Sequence, residues 1–470
     1  MRDNRIVAAA IGAIGAFTVA GTAHATNGYQ LIGVGAYQKG MGGAVTANPG
    51  SAMTAITNPA GMAAIGERAD FSMEAFMPYR DADFTKNADP TNANNPENGE
   101  KISSDAELYG IPAIGWTAPV ADGSDLYFGG GMYGTSGLGV DYGRGNFGPS
   151  SQPSDPTDPT TASWSNIDFS GYSSIAFWQM APTLSWKVND QLRVGGALNI
   201  DYQSVGFQQR LSGDALNAPQ DLESNFLLGR TASAFGFGVT IGGLYDINDM
   251  VTVGASYKSK QDFSDLEYNL RDGDIAAFPD GNGNMVWSKD GTYKLGLDFP
   301  RQLAVGVKVT PMNRLTVSAD VKWINWSDTM DDLEVKGDFR QGDGTDANGN
   351  AALDPGWDDQ IVYALGVDYL VTEDLNLRAG YNYAEAPIEK DDVFSNLLLP
   401  AMTEQHLTLG GTYRFNNRWE ASLAYMRAFE NEVTGSGDVP EAYQNDFGQD
   451  SNATINLEEN SVSLNIGYRF

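Results

Sequence analysis

The chain closes with Val462-Ser463-Leu464-Asn465-Ile466-Gly467-Tyr468-Arg469-Phe470. Apolar side chains occupy every second position, and small or polar ones lie between them. Successive side chains of a β-strand point to opposite faces, so this stretch has one greasy face and one wet face. The pattern recurs upstream. Leu315, Val317, Ala319, Val321 and Trp323 interleave with Thr316, Ser318, Asp320 and Lys322, and Leu375, Leu377, Ala379, Tyr381 and Tyr383 with Asn376, Arg378, Gly380 and Asn382.

A bilayer offers no hydrogen bonds to the backbone, so strands of this kind cross it only when closed into a barrel, with lipid and lumen on alternate sides. Such segments are predicted near 69–80, 107–120, 125–139, 172–188, 191–205, 230–246, 250–261, 295–310, 314–327, 358–370, 374–386, 403–415, 418–430 and 460–470. The resulting fold class is all-β, a 14-stranded antiparallel transmembrane β-barrel, and the even total is the one bacterial single-chain barrels use. Short turns such as Asn189-Asp190 and Asn416-Asn417 alternate with seven long polar connections. Short turns belong to the periplasmic side and long loops to the outside. Tyr127, Trp186, Tyr245, Tyr369 and Phe415 beside the turns are expected to form an inner aromatic girdle, and Trp323, Trp326, Tyr383 and Phe429 an outer one.

The remaining composition agrees with that location. Arg2 and Arg5 precede an apolar stretch from Ile6 to Gly21, and Ala23-His24-Ala25 fits a small-x-small cleavage site. Residues 1–25 are therefore expected to be a signal peptide and 69–470 the barrel, in the outer membrane of a Gram-negative bacterium. The chain has no cysteine, which leaves no disulfide framework and no thiolate metal site. A net charge of −31, from 60 acidic against 29 basic residues, argues against binding nucleic acid.

Residues 26–68 break the alternation. They are small and Gly-rich, passing through Gly40-Met41-Gly42-Gly43-Ala44 and Asn58-Pro59-Ala60-Gly61-Met62. Backbone of this kind can sit as a plug in the lumen of a fourteen-stranded barrel, where lumen polar groups satisfy it. The alternative is a flexible periplasmic extension.

At this point the chain resembles the FadL/TodX-type outer-membrane transporters of long-chain fatty acids and hydrocarbons. The resemblance rests on Gly28-Tyr29-Gln30, Gly42-Gly43-Ala44, Asn58-Pro59-Ala60, the Phe299-Pro300 lead-in to a strand, the paired Trp323 and Trp326, and Leu377-Arg378-Ala379-Gly380-Tyr381. It implies an N-terminal hatch over residues 26–68, with Asn58, Pro59 and Ala60 as the hatch motif. It also implies a kinked third strand beside that motif, through which a hydrophobic ligand leaves sideways into the membrane. Gly129-Gly130-Gly131 is the candidate for that lateral opening, because consecutive glycines in a strand mark bends, although they also relieve crowding against a plug.

The predicted activity is passive transport of hydrophobic molecules, long-chain fatty acids first. Alkanes or aromatic hydrocarbons are an alternative, as is a general porin for polar solutes, and a structural or phage-receptor role is a third class. Nothing resembles a nucleotide-binding Gly-Lys loop, and no cofactor or metal is called for. An enzyme is not expected: of two histidines, His24 leaves with the signal peptide and His406 reads as a polar rim residue. For a fatty-acid carboxylate, Lys322 and Arg378 are candidate contacts, with ion pairing to Asp320, Asp368 or Glu420 as the competing use. The acidic outer loops, including Asp280–Asn284 and Asp343–Asn350, lack the glycine and terminal Glu of an EF-hand. Loose divalent bridging to lipopolysaccharide is their secondary role. Expected partners are thus a hydrophobic ligand, outer-membrane lipid and lipopolysaccharide, and nothing requires more than a monomer.

Overall fold

The computed structural model describes residues 27–470 apart from 87–96, 99, 147–163, 216–221, 281–283, 348 and 436–451. The expected signal peptide lies outside these residues. Fourteen strands form the barrel: β1 Arg68–Lys86, β2 Tyr109–Pro119, β3 Leu126–Leu138, β4 Trp164–Lys187, β5 Leu192–Ala215, β6 Leu222–Asn248, β7 Val251–Lys258, β8 Gln302–Met312, β9 Leu315–Ile324, β10 Gln360–Leu370, β11 Leu375–Tyr383, β12 Gln405–Arg414, β13 Trp419–Thr434 and β14 Asn452–Arg469. Each pairs antiparallel with the next, and β14 returns to β1 from Arg68–Arg469 to Thr85–Asn452, so the sheet closes on itself.

The alternation has the expected sense. Val462, Leu464 and Ile466 face outward while Ser463 and Asn465 are buried inside, and Leu377 and Tyr381 face outward while Asn376, Arg378 and Asn382 face in. Trp186, Tyr245, Tyr369 and Phe415 ring the short-turn end on the outer surface, whereas Tyr127 shares the inward face of β3 with Gly129, opposite the buried Ser185, and is not part of the expected girdle. Trp326 departs from its expected girdle. Its indole is fully buried, in edge contact with Tyr29 at 4.5 Å and Trp357 at 5.2 Å.

Several strands run well past the expected boundaries on the loop side, because polarity inverts there. Along the inner face of β5, Asn199, Asp201 and Gln203 give way to Val205, Phe207 and Leu211, all buried. On β14, Ser461 and Ser463 are continued upward by Leu457, Ile455 and Ala453. The lumen thus has a polar lower half and an apolar upper half. Loop residues Trp357, Leu397, Leu398 and Met402 pack into the upper half with Phe169, Phe207 and Phe226. Outside it, the two longest loops build two small four-stranded sheets, one with Leu266–Leu270 and Gly291–Leu295, the other with Met285–Ser288 and Phe339–Gln341.

Candidate functional site

Residues 32–67 lie within the lower lumen, and Tyr29 reaches up to Trp326 and Trp357. Helix α1, Gly35–Gly40, rests against β12, β13 and β14, and the chain then circles the inner wall. Inward-facing glycines admit it. A Cβ at Gly242 would stand 2.1 Å from Asn58 Oδ1, one at Gly195 2.5 Å from Pro59 C, and one at Gly254 2.4 Å from Thr46 O. Register places these glycines opposite others, as Gly195 with Gly242, Gly254 with Gly306, Gly115 with Gly131 and Gly366 with Gly380. The result is a belt of bare backbone at one height, with the inner segment seated in it.

Polar contacts fix the same seat. Asn58 Nδ2 donates to Thr46 O at 2.7 Å and to Gly243 O at 3.2 Å, and its Oδ1 accepts from Ala60 N at 3.2 Å. Ser185 Oγ donates to Ala60 O at 3.2 Å. Asp320 Oδ2 accepts the amides of Val45 and Thr46, each at 2.8 Å, and Asp70 accepts Ala52 N at 2.7 Å. Lys39 Nζ meets Glu74 Oε1 at 2.7 Å with both side chains buried. Asn58-Pro59-Ala60 therefore touches β4, β5 and β6.

Of the two settings expected for the three glycines of β3, lateral opening or relief of crowding, the geometry fits the second. Gly129 to Gly131 pair without a break, with Thr117 to Gly115 on one side and Thr183 to Ala181 on the other. A Cβ at Gly129 or Gly131 would press on Met62 or Ile56, so these positions belong to the belt and the wall is closed there. Pairing between β2 and β3 stops two residues higher, at Ala113–Tyr133. Tyr109–Pro112 has no partner on β3, and β3 itself breaks between Leu138 and Asp141 after a register shift at Ser136. This gap lies at the height of Met73 and Ala75 on β1, within the lipid-facing band. Buried Ile111, Ile32 and Val34 stand behind it.

Above the belt, between the inner segment and the wall, is a cavity of about 110 Å³. Phe177 and Phe299 stack at 4.1 Å on one side, and Tyr29, Ile56, Tyr133 and Val362 complete the apolar lining. Burial pushes the Tyr29 phenol pKa up, with Asp298 adding to the effect, so its hydroxyl stays neutral. Lys258 and Lys322 line the same cavity, the Lys258 ammonium 5.9 Å from the Tyr133 ring centroid. They sit one row apart across β7, β8 and β9, Lys258 opposite Gln302 and Lys322 opposite Ala304. Lys258 Nζ donates to Gln179 Oε1 at 2.8 Å. Lys322 makes no hydrogen bond or ion pair to a described residue, and neither ammonium has a carboxylate within ion-pair distance among them. Asp320 borders the same space but is held by the inner segment.

Arg378 stands elsewhere. Its Nε donates to Asp368 Oδ2 at 2.6 Å, its Nη1 to Thr412 Oγ1 at 2.7 Å, and its guanidinium lies 4.5 Å from the Tyr37 ring centroid. It anchors the underside of the inner segment and does not line the aromatic cavity. His406 is buried within the wall and not at the rim. Alternation along β7, with Thr252, Gly254 and Ser256 inward, was signal enough to place Lys258 in the lumen; its meeting with Lys322 depends on register, which one strand does not carry.

Among the described residues no group of three or more His, Asp or Glu side chains is placed to hold a metal ion. Asp280 Oδ1 accepts the amide of Asn284 at 2.8 Å, and Asp343 Oδ1 that of Thr345 at 2.9 Å.

A closed fourteen-stranded barrel with a lipid-facing apolar band and its lower lumen occupied by its own N-terminal segment defines an outer-membrane transport protein. The chain belongs to the outer membrane protein transport family (OMPP1/FadL/TodX), whose family model matches residues 15–470. Among solved structures, the toluene transporter TodX of Pseudomonas putida superposes with a TM-score of 0.64 at 21% identity, covering 94% of this chain and 99% of that one. A FadL homologue of Pseudomonas aeruginosa gives 0.62 at 19% identity, covering 96% and 100%. A 47 kDa outer membrane protein of Pasteurella multocida is 26% identical over 248 residues, 50% of this chain and 51% of that protein. The chain thus matches about half the length of this curated relative.

Proposed function

We propose that this protein carries hydrophobic molecules, long-chain fatty acids first among them, passively across the outer membrane and releases them sideways into the bilayer. The observation that carries the reading is the pairing of an aromatic cavity with two lysines that have no carboxylate partner among the described residues. An apolar pocket takes an alkyl chain, and an unneutralised ammonium is the natural partner of the acid head. Each methylene kept from water avoids about 0.8 kcal/mol, so exit into lipid spares a long chain a large barrier. The stretch of β2 unpaired above Ala113–Tyr133 supports that exit, with Leu31 to Val34 of the hatch behind it. The hatch comprises residues 26–68 in this reading, and Asn58-Pro59-Ala60 is its anchor. Its seat in the glycine belt speaks against a general porin, since the lower lumen is filled.

A second reading is favoured by size. The cavity of about 110 Å³ is comparable with the apolar cavity of about 150 Å³ that accepts benzene in an engineered protein. Two relatives of known structure are described as toluene transporters, TodX and TbuX. On this reading the stacked Phe177 and Phe299 bind a single aromatic ring.

Uptake of a labelled long-chain fatty acid and of labelled toluene, in cells lacking their own transporter, tests both. Barrel-dependent uptake of the acid alone supports the first reading, and of toluene alone the second. Uptake of neither, from protein folded in the outer membrane, refutes both.

A further inference from the structure

A second enclosed space lies beneath the hatch, at the short-turn end of the barrel. It measures about 200 Å³ and is mainly polar. Tyr37 and Ser51 of the hatch form its roof, and Arg68, Arg378, Arg414 and Arg469 line its wall. Four guanidiniums here face three carboxylates, those of Asp70, Asp368 and Glu420. In a chain of net charge −31 this local excess of positive charge runs against the whole.

The guanidiniums are not equally committed. Arg68 is held by Asp70 at 2.7 and 2.6 Å and by Glu420 at 2.7 Å, and Arg378 is held by Asp368 and Thr412. Arg414 and Arg469 only approach Glu420 Oε2, at 3.9 and 3.5 Å, and neither guanidinium makes a hydrogen bond to a described residue. Both remain partly open to solvent. Ser51, 3% exposed, lines the same chamber, and its Oγ has no partner among the described residues. Two loosely held forks and a buried hydroxyl donor around one small space make an oxyanion receptor, because planar guanidiniums bind carboxylate and phosphate oxygens in pairs.

We infer that this floor chamber is a periplasm-facing binding site for a small soluble oxyanion, a carboxylate or phosphate, separate from the aromatic cavity above the belt. A bound anion would join Ser51 of the hatch to Arg414 and Arg469 of the wall. Occupancy from the periplasm would therefore tighten the seat of the hatch.

The test uses the full-length protein in detergent, with inorganic phosphate or acetate titrated against sodium chloride at matched ionic strength. The expected result is a saturable rise in melting temperature for the oxyanions and none for chloride. Arg414→Gln with Arg469→Gln should weaken phosphate binding about tenfold or more. Ser51→Ala, a smaller change that keeps all the ion pairs, should weaken it several-fold. A response to phosphate no different from chloride, or unchanged phosphate affinity in Ser51→Ala and the double variant, would overturn the site. Neither result bears on uptake, so this inference and the transport reading stand or fall separately.

Discussion

Asn58 of the inner segment and Gly242 of β6 fit together only because Gly242 has no side chain: an added Cβ would lie 2.1 Å from Asn58 Oδ1. The same asparagine spans inner segment and wall, donating to Thr46 O and Gly243 O. Gly242→Ala must push the Asn58-Pro59-Ala60 turn off its seat, at a cost of about 1–3 kcal/mol. Amide exchange around residues 58–61 should quicken in proportion. Gly110→Ala, where nothing lies within 4 Å, should leave it unchanged.

The Lys39–Glu74 pair, 2.7 Å apart and buried on both sides, ties α1 to β1. Removing one partner strands a charge, so Glu74→Gln should destabilise the hatch–wall contact by about 3–5 kcal/mol. Planar-bilayer recording should show current where the parent protein is nearly silent. Lys39→Met combined with Glu74→Leu should recover most of the loss, because no charge is then left buried.

Lys258→Met with Lys322→Met removes both ammonium groups from the cavity while keeping apolar bulk. Affinity for a long-chain fatty acid should fall about tenfold or more, as a charge-assisted contact is worth about 1.5–3 kcal/mol. Binding of toluene should hold or improve. Equal loss for both ligands, measured on purified protein, would remove the headgroup role.

In the outer loops, burial and then Asp391, Glu389, Asp358 and Asp331 raise Asp392 from the usual carboxylate range to about 6. Its folded pKa lies above its unfolded value, so the folded state retains a proton that the unfolded chain has lost. Stability from this group is greatest below about pH 4 and declines as pH rises toward about 6. Asp392→Asn should therefore firm the loop at pH 7, by about 1 kcal/mol once solvent screening is allowed for. Hydrogen exchange of residues 389–399 at pH 5 and pH 7 checks the direction.

The barrel was legible because lipid and lumen impose opposite demands on alternate residues, as at Leu315 to Trp323. Where those demands change, the reading lost its footing. Val205, Phe207 and Leu211 face inward and are apolar, so the upper part of β5 looked like loop. Trp326 looked like a girdle residue because a tryptophan near a strand end packs equally well against lipid or against Tyr29. Gly129 to Gly131 allowed a bend or relief of crowding, because glycine answers to close backbone approach as readily as to bending, and here the hatch makes that approach. Lys258 was missed, and the headgroup use of Arg378 could not be told from its ion pairing with Asp368, for one reason. Alternation tells which face a residue takes, while its height and neighbours come from register across strands.

The lateral exit is the central claim, and a crosslink tests it most directly. The chain has no cysteine, so Pro112→Cys on β2 and Gly134→Cys on β3, the first positions beyond the last paired residues, can be joined without background by a short bifunctional reagent. In cells shown to take up fatty acid or toluene through this barrel, joining the two strands should abolish uptake, and cleaving the linker should restore it. Undiminished uptake through the crosslinked protein would contradict the account.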